Sequence, residues 1–220
     1  MEREGIAICG LWGKSSLISL SRPLLSKNYN LIDKKTEGVA GSAHQISKSL
    51  IRLGSDFDLF AIGHVGKDLP GEAIMKDFRE SGIICDSLFS SKEPTADFTI
   101  ISTPDDYDLY LAEPGAAILL NPADLKIRQL TSRFLVLADL HSLDKLTHSL
   151  SMILNSCNHE EITSCIVIPK SYDKHQWDIV KEHLPMAGYV FIEGEKLLEF
   201  SGIDQEARSI HDLDKIIAKG

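Results

Sequence analysis

Short apolar runs alternate along the chain with stretches whose apolar residues return every three or four positions. Gly5–Cys9, Asp58–Ile62, Phe98–Ser102, Leu109–Ala112, Phe134–Ala138, Ser164–Ile168 and Gly188–Ile192 have the length and side-chain character of strands. Between them, Ala43, Ile46, Leu50 and Leu53 mark one apolar helix face, and Leu146, Leu150, Ile153 and Leu154 mark another. Asp68 ahead of Pro70 reads as the N-cap of a helix that turns Ile74, Met75 and Phe78 inward. Ile179 and Val180 belong to a fourth helix, and Ile210, Leu213, Ile216 and Ile217 to a fifth. Strand–helix alternation of this kind predicts a mostly parallel sheet with helices on both faces, a three-layer α/β/α sandwich. Residues 16–36 and 95–113 break the rhythm. They hold short alternating strands with no helix between, which predicts a small antiparallel flap, or β-lid, on a single domain spanning 1–220.

Composition narrows the function classes. A net charge of −9 and the lack of a basic cluster argue against nucleic acid as a partner, since affinity for a polyanion comes from Lys and Arg. The cysteines at 9, 85, 157 and 165 include no C-x-x-C pair, and Cys9 and Cys165 sit in apolar runs as small buried hydrophobes of a reducing compartment. No apolar stretch is long enough to span a bilayer and the polar start is no signal peptide, so no membrane partner and a cytoplasmic location are expected. The histidines show no H-x-x-x-H or H-E-x-x-H spacing, so no metal site is expected from them. Asp105, Asp106 and Asp108 read as a solvated hairpin tip, and Trp12 stands near the flap.

Gly13, Lys14 and Ser15 match the end of a phosphate-binding P-loop, and FLVLAD, closing on Asp139, offers the strand-end acid such a site uses. The match is poor. Ile8 stands where the loop's first glycine belongs, and Pro23 with alternating leucines follows where a helix is required. A P-loop nucleotidase is therefore the weakest of three readings. The stretch from Ala40 to Ile83 is more specific: Gly41, Leu53-Gly54, Ile62-Gly63, Val65-Gly66, Asp68, Gly71 and Gly82-Ile83 punctuate it. The glycines allow a tight strand-to-helix turn that Asp68 can cap, with or without a ligand. Gly41 precedes a helix whose free N–H groups can meet a ligand hydroxyl or carboxylate. His141, just past an apolar strand, falls at the sheet's carboxyl edge, where α/β proteins bind ligands, or is a solvated loop histidine.

This pattern resembles the ribokinase-like carbohydrate kinases, the PfkB family. It continues through Pro94-Thr95, Gly115, Ala116, Leu119 and Asp124-Leu125, and more weakly to FIEGEKLLEFSG at 191–202. The resemblance implies a sugar or nucleoside bound under the lid, ATP and Mg²⁺ as phosphoryl donor and metal, and a possible homodimer through the lid. It also implies a substrate-binding set at Ser15, Ala40, Gly41 and Gln45, and a phosphate and metal region at Glu193 and Lys196. The sequence departs from the family at these positions. Ser15 replaces a carboxylate, Ala40 the first glycine of a pair, Gln45 an asparagine, and Lys196 an acid. No G-A-G-D segment, which would supply the catalytic Asp and the glycine-rich cradle, occurs in the 220 residues, so no catalytic residue is assigned. The expectation is an incomplete ribokinase-like domain that is catalytically impaired, a pseudoenzyme. The alternative is a non-catalytic sugar-binding or protein-partner scaffold.

Overall fold

A computed structural model describes residues 3–24, 29–54, 56–105, 108–169 and 171–201. In chain order the strands are β1 (Ile6–Cys9), β2 (Gly13–Leu20), β3 (Ile32–Ala40), β4 (Leu59–Gly66), β5 (Ile84–Ser91), β6 (Ala96–Ser102), β7 (Asp108–Glu113), β8 (Phe134–Leu137), β9 (Thr163–Ile168) and β10 (Tyr189–Ile192). The helices are α1 (Ser42–Arg52), α2 (Leu69–Glu80), α3 (Asp144–Thr147), α4 (Leu150–His159), α5 (Lys174–Val180) and α6 (Gly194–Ser201), with short 3-10 turns between residues 115 and 129.

Six strands form a parallel sheet in the order β10-β9-β8-β1-β4-β5. The period-2 alternation of a strand sorts its residues onto two faces. Leu135 and Leu137 of β8 enter one apolar cluster with Leu146, Leu150 and Ile153, while Val136 enters the other with Trp12, Ile74 and Phe78. Both faces are therefore covered, which is why these strands read as continuous apolar runs. Three layers result, as the alternation predicts. Among the described residues no helix is long and apolar enough to cross a membrane.

The lid is a second sheet of four strands, β3-β2-β6-β7. It is larger than predicted and not wholly antiparallel. β2 begins at Gly13 and β3 runs to Ala40, and although β2 pairs antiparallel with β3, it pairs in parallel with β6. Both sheet faces are partly solvated, so Ser, Lys and Thr fill positions that a buried strand would give to apolar residues. β5 was not predicted, because Asp86 and the serines of ICDSLFSS blur its pattern on an edge of the sheet. Leu53 lies past the last turn of α1 and is exposed, and Ser47 takes the buried position instead. The stripe from Leu146 to Leu154 is split between α3 and α4. The predicted helix at Ile210–Ile217 lies outside the described residues.

The Gly63–Gly71 segment shapes the fold. Trp12 is fully buried, donates its indole N–H to the Ile62 carbonyl at 2.9 Å and meets Phe78 edge-on at 5.0 Å. A Cβ on Gly63 would lie 2.4 Å from the Trp12 ring, so the glycine is the seat of the tryptophan. Asp68 caps α2 by accepting the Gly71 N–H at 2.9 Å, and its other oxygen accepts the Thr95 N–H at 2.8 Å. Thr95 heads β6, so the cap also ties the lid to the sheet.

Candidate functional site

The carboxyl ends of β1 and β8 meet the N-terminus of α1, and Asp139 sits at their junction. The residue follows β8 in left-handed backbone (φ 55°) and is 4% exposed. Its Oδ2 accepts the Leu11 N–H at 3.1 Å and the Ala43 N–H at 3.4 Å, while Oδ1 accepts the Ser42 N–H at 3.2 Å. Gly41, the N-cap of α1, supplies no side chain, so a carboxylate from 98 residues later in the chain performs the capping. The approach is close on every side. Gly41 has φ 106°, and a Cβ there would lie 2.0 Å from the Leu11 carbonyl oxygen. The negative charge is felt nearby: burial pushes the Cys9 thiol well above its ordinary range, with Asp139 adding to the effect.

Ala40 leads from the lid into this junction, and Ser15 lies farther out on the paired strand. Ala40 pairs with Gly13 and Ser15 with Gly38 in the β2–β3 register, while Ser15 also lies beside Phe98 across β6. The next residue, Lys14, binds Asp97 at 2.7 Å, and that contact raises its pKa. This lysine is the second residue of β2 and has an aspartate partner, and the strand runs on to Leu20 where a P-loop would turn into a helix. The P-loop reading is overturned. Gln45 is placed one turn into α1, where its backbone N–H bonds to the Gly41 carbonyl and its side chain is exposed.

His141 follows Asp139 by two residues but faces the other way. Its Nε2 lies 3.3 Å from the Ser171 hydroxyl, its ring tilts against Tyr172 at 5.3 Å, and its Nδ1 is buried with no hydrogen-bond partner among the described residues. Burial holds its pKa below the ordinary histidine value, against the opposing pull of Asp139 and Asp173. The solvated-loop reading of this residue does not hold. It lines a cavity of about 440 Å³ between α3 and α5.

Glu193 and Lys196 occupy the far end of the same edge, after β10. Three inter-strand steps separate β10 from β1, roughly 14 Å at the usual strand spacing. Glu193 is exposed, and its carbonyl accepts the Leu197 N–H at 3.0 Å, starting α6. The Lys196 ammonium is 2.7 Å from Glu199 and 5.3 Å from the Phe200 ring centroid. The structure thus sets Ala40, Gly41 and Gln45 in succession where β3 enters α1, places Ser15 two residues along β2 from the partner of Ala40, turns His141 toward Ser171 and Tyr172, and leaves Glu193 and Lys196 three strands away. Sequence reasoning passed over Asp139 as anything but a nucleotide-motif acid. The sequence shows only a polar residue ending a buried strand; its approach to Gly10 and to the N-terminus of α1 is tertiary.

The sequence model of the pfkB family carbohydrate kinases matches residues 15–220. The chain belongs to that family. No curated protein matches this pfkB-family chain by sequence. Its fold is similar to that of ribokinase from Giardia lamblia, with a TM-score of 0.77 at 16% identity over 98% of this chain and 64% of that one. Ribokinase from Arabidopsis thaliana, solved with ribose and ATP, aligns with a TM-score of 0.76 at 14% identity, covering 99% of this chain and 68% of that one. The nucleoside kinase from Burkholderia thailandensis, solved with inosine, gives 0.69 at 12% over 89% and 63%. This pfkB-family chain therefore spans about two thirds of the length of such structures.

Proposed function

We propose that this chain is a pfkB-family homologue impaired in phosphoryl transfer to a sugar or nucleoside hydroxyl, serving as a binding scaffold. The observation that carries the reading is the state of Asp139. The buried carboxylate at the head of the site has both oxygens occupied by main-chain N–H groups. A group in that state holds backbone in place, whereas a general base must reach the hydroxyl proton it removes. Ser15, which takes the position of the family's substrate-gripping acid, is a neutral hydroxyl and cannot substitute for a carboxylate there.

ATP enters the reading by family, since a related ribokinase was solved with it. The residues at the β10 end do not fit a magnesium ion. Glu193 offers one exposed carboxylate, and the Lys196 ammonium one helical turn away opposes a cation beside it. No step is therefore derived through the metal.

Thermal unfolding with ATP·Mg²⁺ and with a panel of sugars and nucleosides tests the proposal, because a ligand that binds only the folded state raises the midpoint by mass action. The expected result is no rise with ATP·Mg²⁺ and a rise with one sugar or nucleoside. A nucleotide-dependent rise accompanied by ADP release would overturn it.

The lid supports a second element of the reading, a homodimer. Ile32 on β3 and Leu111 on β7 leave exposed apolar side chains on its two edge strands. Sedimentation of Leu111→Glu against the parent chain checks this: the dimer reading requires the variant to sediment as a monomer.

A further inference from the structure

A long groove runs along α4, on the outside of the sandwich and away from the site at Asp139. It encloses about 1000 Å³ between α4 and the 3-10 turns at Pro122–Leu125 and Ile127–Gln129. A hollow of about 410 Å³ extends it past His148 toward Lys145. The apolar part of the floor is Ile127, the edge of the buried Ile153, and Met152, which stands 55% exposed. Methionine, unbranched and polarizable, adapts its shape to whatever packs on it.

The rim carries the opposite charge to the rest of the molecule. Glu160 pairs with Arg3 at 3.2 Å and with Arg128 at 4.0 Å, so Arg3, Lys126, Arg128 and Lys145 outnumber the carboxylates of Glu160 and Asp144. The whole chain carries −9, so a cationic rim over an apolar floor is a local exception. Arg128 is 89% exposed, and Lys126 spans the ring of Phe89 at 5.2 Å with its side chain open to solvent.

We propose that this groove docks one amphipathic helix of a partner protein, apolar on the side it buries and acidic along its flanks. α4 has ten residues, so it offers about 15 Å of contact length, enough for roughly three turns of the partner. Charge complementarity sets the sign of the partner's flanks and Met152 its apolar anchor. Nucleic acid is the poorer fit, because the floor is apolar and the surrounding surface repels a polyanion. The inference is independent of whether the Asp139 site transfers phosphate.

The test uses the full chain and two fluorescein-labelled model helices, one with leucines on one face and glutamates on the other, one with lysines replacing the glutamates. Anisotropy should show the glutamate helix binding at least tenfold more tightly than the lysine helix, and weakening as salt rises. Met152→Glu should loosen it at least tenfold, Arg128→Glu about threefold, and Gln129→Lys should tighten it about twofold. All three positions are exposed, so the melting curves should not move. Equal binding of both helices, unchanged binding by Met152→Glu, or tighter binding of a single-stranded oligonucleotide would overturn the proposal. So would a change in sedimentation of the unliganded chain on Met152→Glu, which would make a second copy the occupant.

Discussion

The middle of the sheet's carboxyl edge and its β10 end are held by different forces. After β1 and β8 the main chain does the holding: three N–H groups converge on one buried carboxylate, and Gly41 is packed against the Leu11 carbonyl. After β10, Glu193 is exposed, Lys196 pairs with Glu199 on a partly exposed helix, and Tyr189 and Phe191 are more than half exposed. The first cannot give up a group without leaving buried polar atoms unpaired. The second can rearrange at little cost. The Asp139 carboxylate is thereby committed to the backbone, whereas the side chains after β10 are not.

Substitutions can break this contrast, beginning with the largest effect. Asp139→Ala strands three N–H groups and should cost about 3–5 kcal/mol by chemical denaturation, while Asp139→Asn, which keeps one good acceptor, should cost roughly half as much. A loss under 1 kcal/mol for the alanine variant would mean that water replaces the carboxylate and that the junction is open. Gly41→Ala combines positive φ with a backbone clash and should cost about 3 kcal/mol. Thr95→Val removes the hydroxyl that joins Asp68 and the Gly66 N–H, and should cost about 1–2 kcal/mol while raising amide exchange in β6.

Acidification sharpens the contrast next. Burial depresses both His44 and His141, with Asp77 and Asp139 pulling the other way. Because the unfolded chain then binds more protons than the folded one, the stability is complete above about pH 6.5 and is lost as pH falls through the depressed folded values. Melting temperature should fall on going from pH 7 to pH 5, and His141→Gln should flatten part of that fall. Burial raises the Asp68 pKa, but the Thr95 and Gly71 hydrogen bonds outweigh it, so its contribution disappears only in stronger acid, below its ordinary 3.8. At the β10 end, Lys196→Ala should change stability by no more than about 0.5 kcal/mol, the usual value of a surface ion pair.

What could be read in advance follows the same division. Strands buried on two faces, such as IAIC and FLVL, and the Asp68-Leu69-Pro70 helix start carry their structure locally, so the parallel sheet and α2 were legible. The lid was only half legible, because Ser15, Ser19 and Thr99 sit on strands whose faces are partly solvated and look like loop residues. β5 was hidden for a similar reason, by Asp86 on an edge strand. Ala40 and Gly41 are neighbours in the chain where β3 gives way to α1, and Ser15 lies on the strand paired with β3. Asp139 was not legible as their partner. Its role is a contact between residues 11, 42, 43 and 139, and no local pattern encodes a helix capped from 98 positions away.

Amide hydrogen exchange at Leu11, Ser42 and Ala43 probes the junction itself. If the carboxylate is permanently committed to the backbone, all three amides exchange slowly in the free protein, lose that protection in Asp139→Ala, and gain no more protection than the core strands do on adding ribose, inosine or ATP·Mg²⁺. Rapid exchange in the free protein, with protection appearing only when a sugar or nucleoside is added, would show that these N–H groups are kept for a ligand and would contradict the closed-site account.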